Sequence, residues 1–309
     1  MTVEKLIKKY GEKKALNDVS FALDECQAVG FVGPNGAGKS TAMNIVTGYI
    51  MPTSGTVKIQ GKSLEGDTHE YKTMIGYLPE IPPLYLDMTV LEYLDFVYRI
   101  KEVSIPKRKE LADVMELTQV SNVKGRLIKN LSKGYKQRVG MAQAIIGRPP
   151  LVILDEPTIG LDPAQTVEIR TLLNELKKSH TILFSSHILS EVNEVCDRVL
   201  MINEGKLIAD STSEALAGMV TKGRKKCRIT AAGSEELVLS TIQQIDGVLS
   251  AITVGADSYE VEYKKEIRDQ LVSALVSKRC SVFDIAEVKA TLEDVFIHLT
   301  ANKNGEVRA

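Results

Sequence analysis

The eight residues GPNGAGKS, Gly33 to Ser40, follow directly on the apolar run AVGFV (28–32) and lead into the helix-forming stretch GKSTAMNIV. They fit the pattern G-x-x-x-x-G-K-[ST] in the strand–loop–helix setting that the pattern requires. The glycines let backbone N–H groups curl around a phosphate, and the helix N-terminus adds its partial positive charge. Lys39 can reach β- and γ-phosphates as ligand and candidate catalytic cation, and the Ser40 hydroxyl can bind Mg²⁺. Two further runs, LVIL (151–154) and TILF (181–184), are also apolar throughout. Such strands belong in the middle of a parallel sheet covered by helices, so the expected fold class is α/β, of the P-loop NTPase kind. The helical stretch PAQTVEIRTLLNELKK has Asp162 as N-cap and Pro163 at its first position.

Residues 88–147 have a different texture, mostly helical with few strand signals. Thr89 and Glu92 form a capping box in TVLEYLDFV, with Leu91, Leu94 and Val97 following at helical spacing. This reads as a helical insertion in an α/β domain spanning 1–220. The basic stretch TKGRKK (221–226) reads as a solvated linker. Beyond it, 221–309 shows a βαββαβ pattern. CRIT and AITV are strand-like, Tyr259, Val261 and Tyr263 alternate with charges, and Val238, Ile242 and Ile245 share a helix face, as do Ile267, Leu271, Ala274 and Leu275. The expectation is a small α+β domain of ferredoxin-like order without catalytic residues.

Two carboxylates close the strand LVILDEP. Asp155 suits Mg²⁺, usually through water, and Glu156 can orient and deprotonate an attacking water. In LSKGYKQR (131–138), Ser132 is the N-cap of an apolar helix, and His187 closes LFSSH just past a buried strand.

Taken in order, the phosphate loop, LSKGYKQR, the DE-ended strand, GLD (160–162) and His187 resemble the ATP-binding-cassette ATPases over about residues 3–215. The resemblance implies ATP and Mg²⁺ as cofactors. The loop Gly33, Pro34, Asn35, Gly36, Ala37, Gly38, Lys39 and Ser40, with Thr41 after it, would hold the phosphates, and Tyr10 would stack on adenine. Tyr10 is otherwise a simple edge-strand aromatic. Two such domains would close head to tail, so that Ser132 and Gly134 of one reach the γ-phosphate held by the other. Asp162, in the GLD segment, would link the two sites, and His187 would sense the γ-phosphate.

In that family the segment between phosphate loop and signature carries a Gln touching Mg²⁺ and the attacking water; here GYLPE supplies Glu80. A glutamine amide both donates and accepts, whereas an ionised glutamate only accepts. Beside a triphosphate and two carboxylates it would be costly unless it ligates the metal, so Ser40, Glu80 and Asp155 form the expected metal set. A loop-capping role is the other reading of Glu80. GYLPE followed by PLY and MTV, with LEDVFIHLT (292–300) near the end, is similar to ATPases paired with type-2 export permeases, including the gliding-motility-like group. The loop Ile81–Leu86 would then dock on a membrane partner, or else pack on the helical insertion.

Lys plus Arg number 39 and Asp plus Glu 40, for a net charge of −1. That excludes a broad nucleic-acid footprint. The four cysteines, Cys26, Cys196, Cys227 and Cys280, form no C-x-x-C pair and read as buried, reduced thiols. No signal-peptide core is seen at the N-terminus, and no apolar run approaches the ~20 residues of a membrane span. The expectation is therefore a cytoplasmic exporter subunit, peripheral at the inner face of the membrane and working as a homodimer beneath separate integral-membrane permease subunits. The alternative is a non-transport ATPase with a regulatory or translation-associated role.

Overall fold

The computed structural model describes residues 1–221, 223–288 and 290–304. They fall into two compact units, Met1–Ser213 and Glu214–Ala309. The first unit holds a six-stranded sheet in the spatial order Lys206–Ser211, Arg198–Asn203, Ala28–Val32, Thr181–Ser186, Leu151–Asp155, Ile75–Leu78. All neighbours in it run parallel except the hairpin of the first two. The strands that read as apolar throughout, Ala28–Val32, Leu151–Asp155 and Thr181–Ser186, are buried at every residue. Both of their faces are covered, as the absence of alternation requires.

Register decides what this sheet presents at its carboxyl edge. Val32 pairs with Ser186, Asp155 with Ser185, and Leu78 with Leu154. Four strands therefore end level with one another, and the four segments leaving them begin at Gly33, His187, Glu156 and Pro79. Ligands of open parallel sheets bind outside these strand ends. A second, antiparallel sheet of Lys13–Ala22, Thr2–Tyr10, Ser54–Ile59 and Lys62–Ser63 shares the core through Val3, Leu6, Leu16 and Val19. It carries Tyr10 at the end of its strand Thr2–Tyr10.

Between the strands Ile75–Leu78 and Leu151–Asp155 lie the helices Val90–Ile100, Lys107–Leu117 and Lys133–Ile145. The Thr89–Glu92 capping box is present in full. Leu91, however, is exposed. The inward stripe is Val90, Tyr93, Leu94 and Val97, at i, i+3, i+4 and i+7 from the first helical residue, which puts Leu91 a quarter-turn away toward solvent.

The helix Lys133–Ile145 lies tight against the strand Ile75–Leu78 because each contributes a glycine at a point of close approach, Gly76 against Ala144 and Gly140 against Leu78. A Cβ on Gly76 would sit 2.3 Å from the Ala144 carbonyl oxygen, and one on Gly140 2.6 Å from a Leu78 methyl. At the far end of this helix the Lys101 ammonium donates to the carbonyls of Gln143, Ala144 and Ile146, three acceptors that the helix leaves unpaired.

The second unit has strands Lys225–Ala232, Val248–Gly255, Ser258–Tyr263 and Ser281–Val288, with helices Glu235–Gln243 and Arg268–Ser277 between them. Its antiparallel order, second-third-first-fourth, is the ferredoxin-like arrangement. A separate core gathers Ile229, Val238, Ile242, Tyr259, Val261, Tyr263 and Leu271. The stretch TKGRKK is not all linker. Lys225 and Lys226 are strand residues, paired with Tyr263 and Glu262, and exposed while Cys227, Ile229 and Ala231 point inward. Cys26 also departs from expectation, being exposed in a turn; all four thiols are free. Among the described residues no helix is long and apolar enough to cross a membrane.

Because the Ala144 carbonyl is backbone and cannot swing away, Gly76→Ala should overpack the strand–helix contact. A loss of about 1–3 kcal/mol is expected by urea denaturation, with the slope m unchanged.

Candidate active site

The first unit has a cavity of about 580 Å³ at the carboxyl edge of its parallel sheet, lined among others by Tyr10, Gly36, Lys39, Ser40, Glu80, Asp155 and Glu156. The sheet register accounts for this grouping, since residues 39, 80 and 155 lie within seven positions of the ends of their strands. Asn35, Gly38 and Thr41 also line it. Gly33 and Ala37 support the loop from behind. Ala37 is buried, and a Cβ on Gly33 would sit 2.2 Å from the Ile202 carbonyl oxygen. Gly38, the N-cap of the helix Lys39–Val46, has φ +114° and could not carry a side chain without meeting the Ala15 carbonyl at 2.7 Å.

Lys39 is nearly buried, and its ammonium donates to the Gly33 carbonyl at 2.6 Å and that of Pro34 at 3.3 Å. Burial pulls its pKa below the usual lysine range, against the carboxylates of Glu156 and Asp155, which raise it. The cation is thus folded back on its own loop, within reach of the space the loop encloses. Tyr10 is half exposed at the cavity rim, with the Lys8 ammonium 5.2 Å from its ring centre.

Asp155 and Glu156 are both largely buried. The Ser185 hydroxyl donates to Asp155 Oδ1 at 2.5 Å and accepts the Glu156 N–H at 3.0 Å, locking the peptide between the two carboxylates. Glu156 has φ +49°, a left-handed conformation that few side-chain-bearing residues adopt. Its Oε2 lies 2.7 Å from His187 Nδ1, a hydrogen bond in which an ionised carboxylate accepts. Burial pushes the Asp155 carboxyl above the usual range. Ser185 and Lys39 oppose this, and the negative charges of Glu156 and Glu80 add to it. Glu80 itself is exposed on the cavity wall.

Three carboxylates and the Ser40 hydroxyl are hard oxygen donors facing one cavity, where burial first and mutual repulsion second disfavour the ionised Asp155. That donor chemistry fits a small divalent cation completed by phosphate and water oxygens. Among the described residues no group of three or more His, Cys, Asp and Glu side chains is close enough to hold a metal alone.

Ser132 and Gly134 lie elsewhere. Ser132 caps the helix Lys133–Ile145 by accepting the Tyr135 N–H, and Asp162 caps the helix Pro163–Leu176 by accepting that of Gln165 at 2.8 Å. Ser132, Gly134, Arg138, Asp162 and Gln165 line a separate cavity of about 600 Å³, which shares no residue with the first. The phosphate loop and the signature of one chain therefore do not meet.

Sequence reading passed over several contributors. Ser185 stood inside the quoted LFSSH, but its link to Asp155 spans 30 residues. Glu204 and Gly205 form a tight turn at the cavity edge, both with positive φ, and the Gly205 N–H donates to the Ala37 carbonyl at 2.8 Å. The Asn-Glu-Gly sequence of that turn was a usable signal. The loop beyond Glu80 is mixed. Tyr85 packs edge-on against Tyr93, ring centres 5.9 Å apart, and tilted against Phe96 at 5.2 Å on the helical insertion, while Ile81 and Leu86 face outward.

Comparison with known proteins agrees with this geometry. The family described as ABC transporter matches residues 16–159. An uncharacterized ABC transporter ATP-binding protein of Bacillus subtilis, YxlF, is 32% identical over 96% of this chain and 98% of its own length. The bacitracin transport ATP-binding protein BcrA of Bacillus licheniformis is 32% identical over 95% of each. A solved dimeric ATP-binding cassette in a post-hydrolysis state, bound to ADP and Pi, superposes with a TM-score of 0.61 and 25% identity, covering 68% of this chain and 97% of that one.

An ionised Asp155 is disfavoured in the nucleotide-free fold, so the folded state holds more protons than the unfolded one above the usual carboxylate range. This group's cost is present at neutral pH and fades as pH falls through its raised pKa. Asp155→Asn, which keeps the acceptor for Ser185, should raise the melting temperature of the nucleotide-free protein at pH 7.5 by about 2 °C. The gain should shrink on acidification; a gain independent of pH would assign the strain to something other than the charge.

The matched family, the full-length relatives and the site that both imply agree: this chain belongs to the ATP-binding subunits of ABC transporters, and it is an ATPase.

Proposed function

We propose that this chain powers a membrane exporter as a homodimer, closing head to tail around two Mg²⁺–ATP and acting on separately encoded membrane subunits. The observation that carries this is the division of the site. Each chain has a phosphate-loop cavity and a signature cavity that share no residue. Only a second copy can bring Ser132 and Gly134 to the nucleotide held at Lys39. Export is supported by relatives whose names specify bacitracin transport and linearmycin resistance. The same reading keeps the chain at the inner face of the membrane through its partners, with the outward-facing Ile81 and Leu86 in the docking loop. The 1–220 segment is the motor in this reading, and 221–309 an accessory domain.

Within the motor, Tyr10 stacks on the adenine, and Gly33–Thr41 enclose the phosphates. Lys39 leaves the Gly33 and Pro34 carbonyls for phosphate oxygens. Ser40, Asp155 and Glu80 would hold Mg²⁺, which neutralises charge on the phosphates when bound. Glu156 accepts a proton from the attacking water. His187, hydrogen-bonded to Glu156, orients it and faces the γ-phosphate. Ser132, Gly134 and their helix N-terminus complete the stabilisation from the other chain.

Glu156→Gln should lower ATP turnover by roughly 10²–10⁴-fold and trap an ATP-dependent dimer in size-exclusion chromatography. In that trapped background, Glu80→Gln should raise the Mg²⁺ concentration that half-maximal dimerisation needs; an unchanged requirement removes Glu80 from the metal's ligands. The exporter reading is tested separately by affinity purification from detergent-solubilised membranes. A stoichiometric polytopic partner is expected, whereas recovery only from the soluble fraction would favour a non-transport ATPase.

A further inference from the structure

Glu191 lies on the short helix Leu189–Val195 and is 8% exposed. Among its described contacts the carboxylate is met by hydroxyls rather than by a cation. Thr158 Oγ1 donates to Glu191 Oε2 at 2.5 Å, and Ser186 Oγ reaches the same oxygen at 3.4 Å. Both donors are themselves buried. The helix around Glu191 is otherwise apolar on its buried side, with Val192 and Val195 inward.

A buried carboxylate without a counter-ion is a poor way to fill a core. An apolar side chain would pack there at lower cost, but it could not receive two hydroxyls at one point. What the two hydroxyls belong to is therefore informative. Thr158 is two residues after Glu156, in the turned segment where the Ile159 N–H bonds the Glu156 carbonyl and the Leu161 N–H bonds that of Thr158. That segment ends at Asp162, on the wall of the signature cavity. Ser186 is the residue before His187, and its hydroxyl also accepts the Ile188 N–H at 3.0 Å. The carboxylate thus ties together the two segments that carry the two ends of the Glu156–His187 hydrogen bond.

We propose that Glu191 is a positioning residue: by clamping Thr158 and Ser186 it holds Glu156 and His187 in mutual register and fixes the segment leading to Asp162. The proposal rests on the reading of Glu156 as the base and His187 as its partner. Glu191 reaches the reaction only through these neighbours. Its loss leaves the phosphate loop, and with it nucleotide affinity, in place.

The test uses the full-length chain and steady-state Mg²⁺–ATP hydrolysis, with nucleotide binding measured in parallel. Thr158→Val, close in shape, and Glu191→Ala should each lower kcat by about 10- to 100-fold. KM and nucleotide affinity should stay within about twofold of wild type. The double variant should be no slower than Glu191→Ala, and Glu191→Gln, which keeps an acceptor oxygen, should recover most of the rate. Unchanged kcat, independent effects in the double variant, no recovery with Gln, or parallel loss of binding would each overturn the proposal. Glu156→Gln assayed alongside separates the two readings. If it retains wild-type turnover, the assignment of the base fails; if it is inactive while Thr158→Val is not, only the positioning role fails.

Discussion

The level ending of neighbouring parallel strands is the constraint on which everything else depends. Because Val32 pairs with Ser186 and Ser185 with Asp155, loops from distant parts of the sequence leave the sheet side by side. A slip of one residue would turn every side chain of the slipped strand to the opposite face. Ser185 shows how tightly the site relies on this register. Its backbone is paired with Phe31 on one side and Asp155 on the other, and its hydroxyl holds both Asp155 and the Glu156 N–H. No flexible linker could hold a strained Glu156 against His187; a buried sheet can.

The electrostatics follow from that crowding. Glu80, Asp155 and Glu156 face one cavity, and burial makes their repulsion stronger than it would be in water. Lys39 meets part of the charge, yet its ammonium is hydrogen-bonded to its own loop's carbonyls. The arrangement suits the proposed Mg²⁺–ATP, which would bring a cation for the carboxylates together with the phosphates. Gly36 and Gly38, both at positive φ, set the loop backbone, whereas Lys39 would have to leave its carbonyls to meet an occupant.

Much of this was legible from the chain, for identifiable reasons. Strands buried on both faces show as unbroken apolar runs, and the phosphate loop shows because its glycines are needed at fixed offsets. The ferredoxin-like unit could be read from the alternation of Tyr259, Val261 and Tyr263, which are buried at every second residue. The antiparallel sheet was harder to see, since the strand Thr2–Tyr10 buries only Val3 and Leu6 among exposed lysines and its register shifts break the period. Leu91 was assigned to the wrong face because the helix stripe is set by Tyr93, an aromatic that counting aliphatic residues overlooks. Ser185, Thr158 and Glu191 were invisible because their partners lie about 30 residues away. Hydroxyl and carboxylate groups carry no periodic signal, and only the folded register brings them together.

The segment from Glu156 to Asp162 joins the two cavities of one chain. Glu156 faces the phosphate-loop cavity, and Asp162 lines the signature cavity. The two internal turns at Ile159 and Leu161 shorten the path and remove its slack. A short segment already hydrogen-bonded to itself moves as a unit or not at all. A displacement of Asp162 would be carried to Glu156 unless something anchored the middle. Thr158, in the middle of this path, is tied to the core by its bond to the buried Glu191. Glu156 is consequently held through Thr158 by the core while it lines the phosphate-loop cavity. In the proposed dimer, closure would assemble the Ser132 half of the site around a Glu156 already in place.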